Sequence, residues 1–154
     1  MRIFLLFVIM SITACSPKGK KEISSEERAE KYFFTQVERI DSIARVLEEF
    51  KKSEAGPFSA HKYQMQLARY GERVKNELLP EIKVTIDSLE KINITPAQKK
   101  DYLDYLKLLH EIYQLKSEFS LTPEQEEKLR RLNIAKETLW LKIKGGKYEQ
   151  SRSH

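Results

Sequence analysis

Few side chains in this chain of 154 residues have chemistry beyond holding a fold. The most reactive is Cys15, the single cysteine. Its thiol could be acylated, oxidised or bound to a soft metal, but with no second cysteine an intrachain disulfide is excluded. Two imidazoles and a thioether come next. His61 and Met65 are one helical turn apart, and His110 lies in a later segment. Such a set could hold a soft ion such as copper. No Glu-x-x-His pattern and no further cysteine accompany them, so no metal site is expected. Asp and Glu are plentiful, at 23, but they fall between the apolar positions rather than on them. There they solubilise helices, whereas acid–base work needs a carboxylate set into a cleft. No Gly-x-Ser-x-Gly elbow and no phosphate-cradling loop occurs. The expectation is a non-catalytic chain without a cofactor.

The residues before Cys15 say more. Arg2 supplies a positive charge, Ile3 to Met10 form an unbroken apolar block, and Ser11-Ile12-Thr13-Ala14 leads into the cysteine. A charged start, a short apolar core and small residues before a cleavage point read as a secretory signal peptide over residues 1–14. The apolar run is too short for a membrane span, which takes about 20 residues. Ile12-Thr13-Ala14-Cys15 resembles the lipobox of bacterial lipoprotein precursors. That resemblance implies a diacylglycerol on the Cys15 thiol, removal of the signal, and attachment to a bacterial envelope membrane through the acylated cysteine. Ser16 in place of Asp resembles the outer-membrane sorting pattern of many Gram-negative lipoproteins. Ser16 to Ile23, with Pro17, Gly19 and three lysines, reads as a flexible tether.

Net charge is +5, yet acids and bases alternate along the chain. The basic excess sits in Lys18-Gly19-Lys20-Lys21 and the last twenty residues, not along one face. Nucleic-acid modules concentrate Lys and Arg on one face, so nucleic acid is not an expected partner.

Residues 24–146 carry the elements that would position any site, and all of them read as helix. Ser24 with Glu27 makes a capping box, and Phe33, Val37, Ile40, Ala44 and Leu47 follow at helical spacing. Ala55-Gly56-Pro57 ends that helix. A second runs from near Ser59 to about Ile92, with Tyr63, Leu67, Tyr70, Val74, Leu78, Ile82, Ile86 and Leu89 on one face. Pro80 falls inside it and predicts a kink or a split. Gly71 in the same stripe marks close helix approach. Thr95-Pro96-Ala97-Gln98 opens a third helix, whose apolar face extends from Tyr102 to Phe119. Thr122-Pro123-Glu124-Gln125 opens a fourth, using Leu129, Leu132, Ala135, Leu139 and Ile143, with Gly145-Gly146 as its end and residues 147–154 as a disordered tail.

Four amphipathic helices on short turns predict an all-α, antiparallel up-down four-helix bundle. The first two are longer than the others, so the first hairpin should overhang the second unless the helix bends at Pro80. An overhang would expose Phe50, Phe58 and Tyr63, and these three form the expected surface for a protein partner not otherwise identified. Ile94-Thr95-Pro96-Ala97-Gln98 and Leu121-Thr122-Pro123-Glu124-Gln125 also resemble the Leu-Thr-x-x-Gln motif of small periplasmic stress chaperones and metal-response proteins. That resemblance implies client binding on a concave dimer face and stands as the alternative, since helix capping accounts for the same residues.

Overall fold

The structure, a computed structural model, describes residues 24–53 and 60–151. Their regular structure is entirely helical: α1 (Ser25–Ser53), α2 (Ala60–Arg73), a π turn (Val74–Leu78), α3 (Leu79–Lys91), α4 (Pro96–Lys116) and α5 (Pro123–Ser151). Helical dihedrals continue through Arg73, Leu78 and Leu79, so α2, the π turn and α3 are one rod. Four rods therefore make the antiparallel bundle expected from the periodicity.

The helix starts follow local chemistry. At α1 the Ser24 backbone N–H donates to Glu27 Oε2 (3.2 Å) and the Glu27 N–H donates to Ser24 Oγ (3.1 Å), a reciprocal capping box. At α5 the Thr122 N–H donates to Gln125 Oε1 (2.8 Å) and the Gln125 N–H to Thr122 Oγ1 (3.3 Å). The second Leu-Thr-x-x-Gln copy thus spends its Thr and Gln on the helix's own backbone. The first copy behaves differently: Thr95 makes no side-chain cap, and Gln98 Nε2 donates instead to the Tyr102 hydroxyl (2.9 Å).

Phe33, Val37, Ile40 and Leu47 of α1 are fully buried, as are Val74, Leu78, Ile82, Leu89 and Leu106 from the other rods. Phe33 stacks on Tyr102, centroids 4.0 Å apart, and Tyr105 stacks on Trp140 at 5.0 Å. Pairs between α1 and α4, such as Phe33–Tyr102 and Glu48–Lys116, keep the same order in both helices, so these two run parallel across the bundle.

The expected disruption at Pro80 takes a particular form. The chain neither splits nor breaks; it widens into the π turn immediately before the proline, and the Leu79 N–H reaches back to the Val74 carbonyl. Two pressures meet there. Pro80 cannot donate to the Asn76 carbonyl and crowds it. Tyr70, Val74, Leu78, Ile82 and Ile86 also recur every fourth residue, a spacing that drifts about 40° per step on an ideal α-helix. A wider turn absorbs that drift and keeps Tyr70, Val74, Leu78 and Ile82 buried on one face.

Two boundaries and one facing differ from expectation. α4 ends at Lys116, and Phe119 lies in the following turn with 53% of its surface exposed. α5 continues through Gly145-Gly146 to Ser151, so residues 147–151 extend the helix. Among the described residues no glycine takes a positive φ, so the left-handed cap that would have stopped it is absent. Ala135, expected to face inward, is exposed.

Candidate functional site

Cys15 and Phe58 lie outside the described residues. Phe50 is half-buried and packs on the core, with the Arg73 guanidinium 5.0 Å over its ring. Its backbone carbonyl accepts a 2.6 Å hydrogen bond from Gln66 Nε2, which ties the last turns of α1 to α2. It is a packing residue more than a docking one. Tyr63 is 49% exposed, as an overhang requires.

The overhang follows from where α4 stops. Gly71 of α2 lies directly against the Ser117 carbonyl at the end of α4. Lys75 Nζ then pairs with Glu118 Oε1 at 3.5 Å, which seats the following turn beside the π turn. The rod above Gly71 therefore outruns α4 from Ala60 to Tyr70, about 16 Å at 1.5 Å per residue. On a helical wheel Tyr63 and Leu67 lie on the same face as the buried Tyr70, Gly71 and Val74. They continue that face, on which Leu67 is half-buried and Tyr63 half exposed. Tyr70, Tyr102 and Tyr105 are buried, whereas Tyr63 is not.

The histidines are not brought together. His61 is exposed near the tip of the overhang and His110 is half-buried on α4. The helix rise between their levels is about 24 Å. Among the described residues, no group of three or more His, Cys, Asp or Glu side chains is placed to hold a metal ion.

The structure does assemble one polar cluster that the residue pattern did not reveal. Glu48 Oε1 accepts from the Tyr70 hydroxyl (2.9 Å) and from Lys116 Nζ (3.1 Å), joining α1, α2 and the last turn of α4. Burial would raise this carboxyl. The Lys116 charge, the hydrogen bonds from Tyr70 and Lys116, and the Lys51 charge outweigh it and hold Glu48 below the ordinary carboxylate range. Tyr70 is pushed upward by burial and by its bond to Glu48. Tyr113 is pushed up to about 12, first by burial and then by the charges of Asp41 and Glu48. Held by Tyr70 and Lys116, the Glu48 carboxylate clamps three helices together. The available signal was Tyr70 itself, a phenol in an apolar stripe whose hydroxyl needs a partner.

Among the described residues, no helix is long and apolar enough to cross a membrane. No protein-family model, curated protein or solved structure matches the chain.

Proposed function

We propose that the chain is a non-catalytic lipoprotein of a bacterial envelope, anchored through an acylated Cys15, whose bundle serves as an accessory module that docks another protein. The observation that carries this reading is the order Arg2, the apolar block Ile3 to Met10, and Ile12-Thr13-Ala14-Cys15, followed by the Pro- and Lys-containing stretch to Ile23. Two or three acyl chains, at about 0.8 kcal/mol per buried CH₂, make a stable anchor. On this reading the α1 start lies nearest the bilayer, and the α1–α2 end of the bundle faces away from it. Ser16 favours the outer membrane in a Gram-negative cell. The overhang offers an apolar, exposed surface, which is what a docking module needs and a freely soluble spacer does not.

The test is fractionation. Wild-type chain should pellet with membranes and take up labelled palmitate, while Cys15→Ser should do neither. A Cys15→Ser chain that stays fully in the membrane fraction would remove the lipoprotein reading.

A further inference from the structure

Leu139, Trp140 and Ile143 turn α5 toward the core. Ile134, Thr138, Leu141 and Gly145 lie on the opposite face of the same helix at 4-3-4 spacing, and all four are exposed. Ile134 is 53% exposed and Leu141 70%. Gly145 has no neighbour within 4 Å of its Cβ position and does not end the helix, so nothing in its own chain calls for a glycine there. A glycine inside a helix costs about 1 kcal/mol against alanine. What it offers is room for another backbone, as Gly71 does for Ser117 within this bundle. A seam of apolar and small residues at this spacing is shaped to pair with a second helix.

The charges beside the seam are self-complementary. Glu137 is exposed on one flank and Lys142 on the other. Where two such helices lie parallel and in register, position 137 of each faces position 142 of the other, so the two-fold makes a Glu–Lys pair on both sides. Lys142 Nζ donates to Asp101 within the chain (2.7 Å), yet its side chain is 66% exposed and its ammonium has N–H groups left for a second carboxylate. Two chains anchored through Cys15 to one bilayer also present α5 in the same direction.

We infer that this outer face of α5, with Ile134 and Leu141 as its apolar contacts and Gly145 as its point of closest approach, pairs with the same face of a second copy of this chain, parallel and in register. The inference goes beyond the docking-module reading and takes only the anchor from it. The seam covers about three turns. Before it, Arg131 is held by Glu127 of its own chain (2.8 Å), so the contact is small and reversible. Sharing a bilayer raises the effective concentration at which the two faces meet.

The experiment is crosslinking of the full-length chain in its own membranes. Ile134→Cys and Leu141→Cys are oxidised under mild conditions beside wild type and the controls Val46→Cys and Val84→Cys, whose positions are exposed on α1 and α3. The expected result is a disulfide dimer at 134 and at 141, at least fivefold above wild type and both controls. Co-expressed Ile134→Cys and Leu141→Cys chains should give no mixed disulfide, because parallel pairing keeps the two positions apart. A benzoyl-phenylalanine at 141 should give an adduct of twice the chain mass. Glu137→Lys should lower the dimer at least fivefold, and Glu137→Lys/Lys142→Glu should restore it. Dimer no higher at 134 and 141 than in the controls, a mixed 134–141 disulfide, an adduct from 141 to lipid or to another protein, or no recovery in the double exchange would overturn the inference. Any of these in a chain that pellets with membranes leaves the anchor reading standing. The expected dimer in a chain that never pellets would remove the anchor reading and leave the contact.

Discussion

Gly71 and Ser117 meet backbone to backbone: a Cβ built on Gly71 would overlap the Ser117 carbonyl oxygen, with the Ser117 carbonyl carbon only 3.4 Å away. The contact locks the end of α4 against α2 and sets how far α2 extends beyond it. The obstructing atom is backbone, so a side chain cannot simply rotate away.

Gly71→Ala should therefore destabilise the bundle by about 1–3 kcal/mol, the usual cost of overpacking. Gly145 is the matched control, since nothing lies within 4 Å of its Cβ position and its helix continues past it. Gly145→Ala should stabilise by about 0.5–1 kcal/mol through helix propensity. Urea unfolding followed by circular dichroism reads both, and equal effects at the two glycines would contradict the close approach.

Glu48 gives the fold an acid sensitivity of defined sign. Its folded-state carboxyl titrates below the ordinary range, so the unfolded chain takes up the proton first as pH falls. Its contribution is complete above the ordinary carboxylate range and is lost as pH falls through that range and below it. Lys116→Met should cost about 1 kcal/mol near neutral pH and flatten the acid limb of the stability profile. An unchanged limb would mean that the Glu48 clamp does not contribute.

The tyrosines act at the other end of the scale. Tyr113 is pushed up to about 12, and Tyr70 and Tyr105 are also raised, burial being the first cause for each. Their neutral form is favoured in the fold, so stability is complete below the ordinary phenol pKa of about 10 and is lost as pH rises through 10 to 12. Absorbance at 295 nm should show these tyrosines ionising together with unfolding. Tyr113→Phe should move the alkaline midpoint upward.

Trp140 is the main aromatic link between α5 and the rest of the bundle. It stacks on Tyr105 (5.0 Å), meets Phe34 edge-on (5.5 Å) and lies under Lys144 Nζ (4.8 Å). It is half-buried, so Trp140→Ala should cost about 2 kcal/mol, less than the ~3–5 kcal/mol expected for the fully buried Phe33→Ala. Hydrogen exchange should rise in α5 while α1 to α4 keep their protection, because among the described residues 123–145 of α5 none is fully buried. Uniform loss of protection would show that α5 is integral to the cooperative unit.

The expectation that the first two helices are longer than the last two holds against α4 but not α5, which at 29 residues equals α1, and the residues exposed at the α1–α2 end were not all readable. Phe50 and Tyr63 are both aromatic and both near the first turn, but Phe50 packs under Arg73 while Tyr63 is 49% exposed. Phe119 was expected to pack on α4 because its spacing continues the stripe, but α4 stops three residues short of it. Helical period carries no information about where a neighbouring rod ends.

The sequence by itself determined the helical periodicity, the Ser24–Glu27 and Thr122–Gln125 starts, the composition of the core and the tight place at Gly71, because each is written in side chains a few positions apart. Tertiary structure alone decided the rest. The Glu48–Tyr70–Lys116 clamp needs three helices aligned to within a hydrogen bond. The form of the Pro80 disruption depended on buried contacts at Val74, Leu78 and Ile82 that reward a wider turn over a break. The stretch of α2 that outruns α4 exists because α4 ends level with Gly71. Local pattern sets what each segment becomes; the relative ends of the rods set which surfaces are left for anything else.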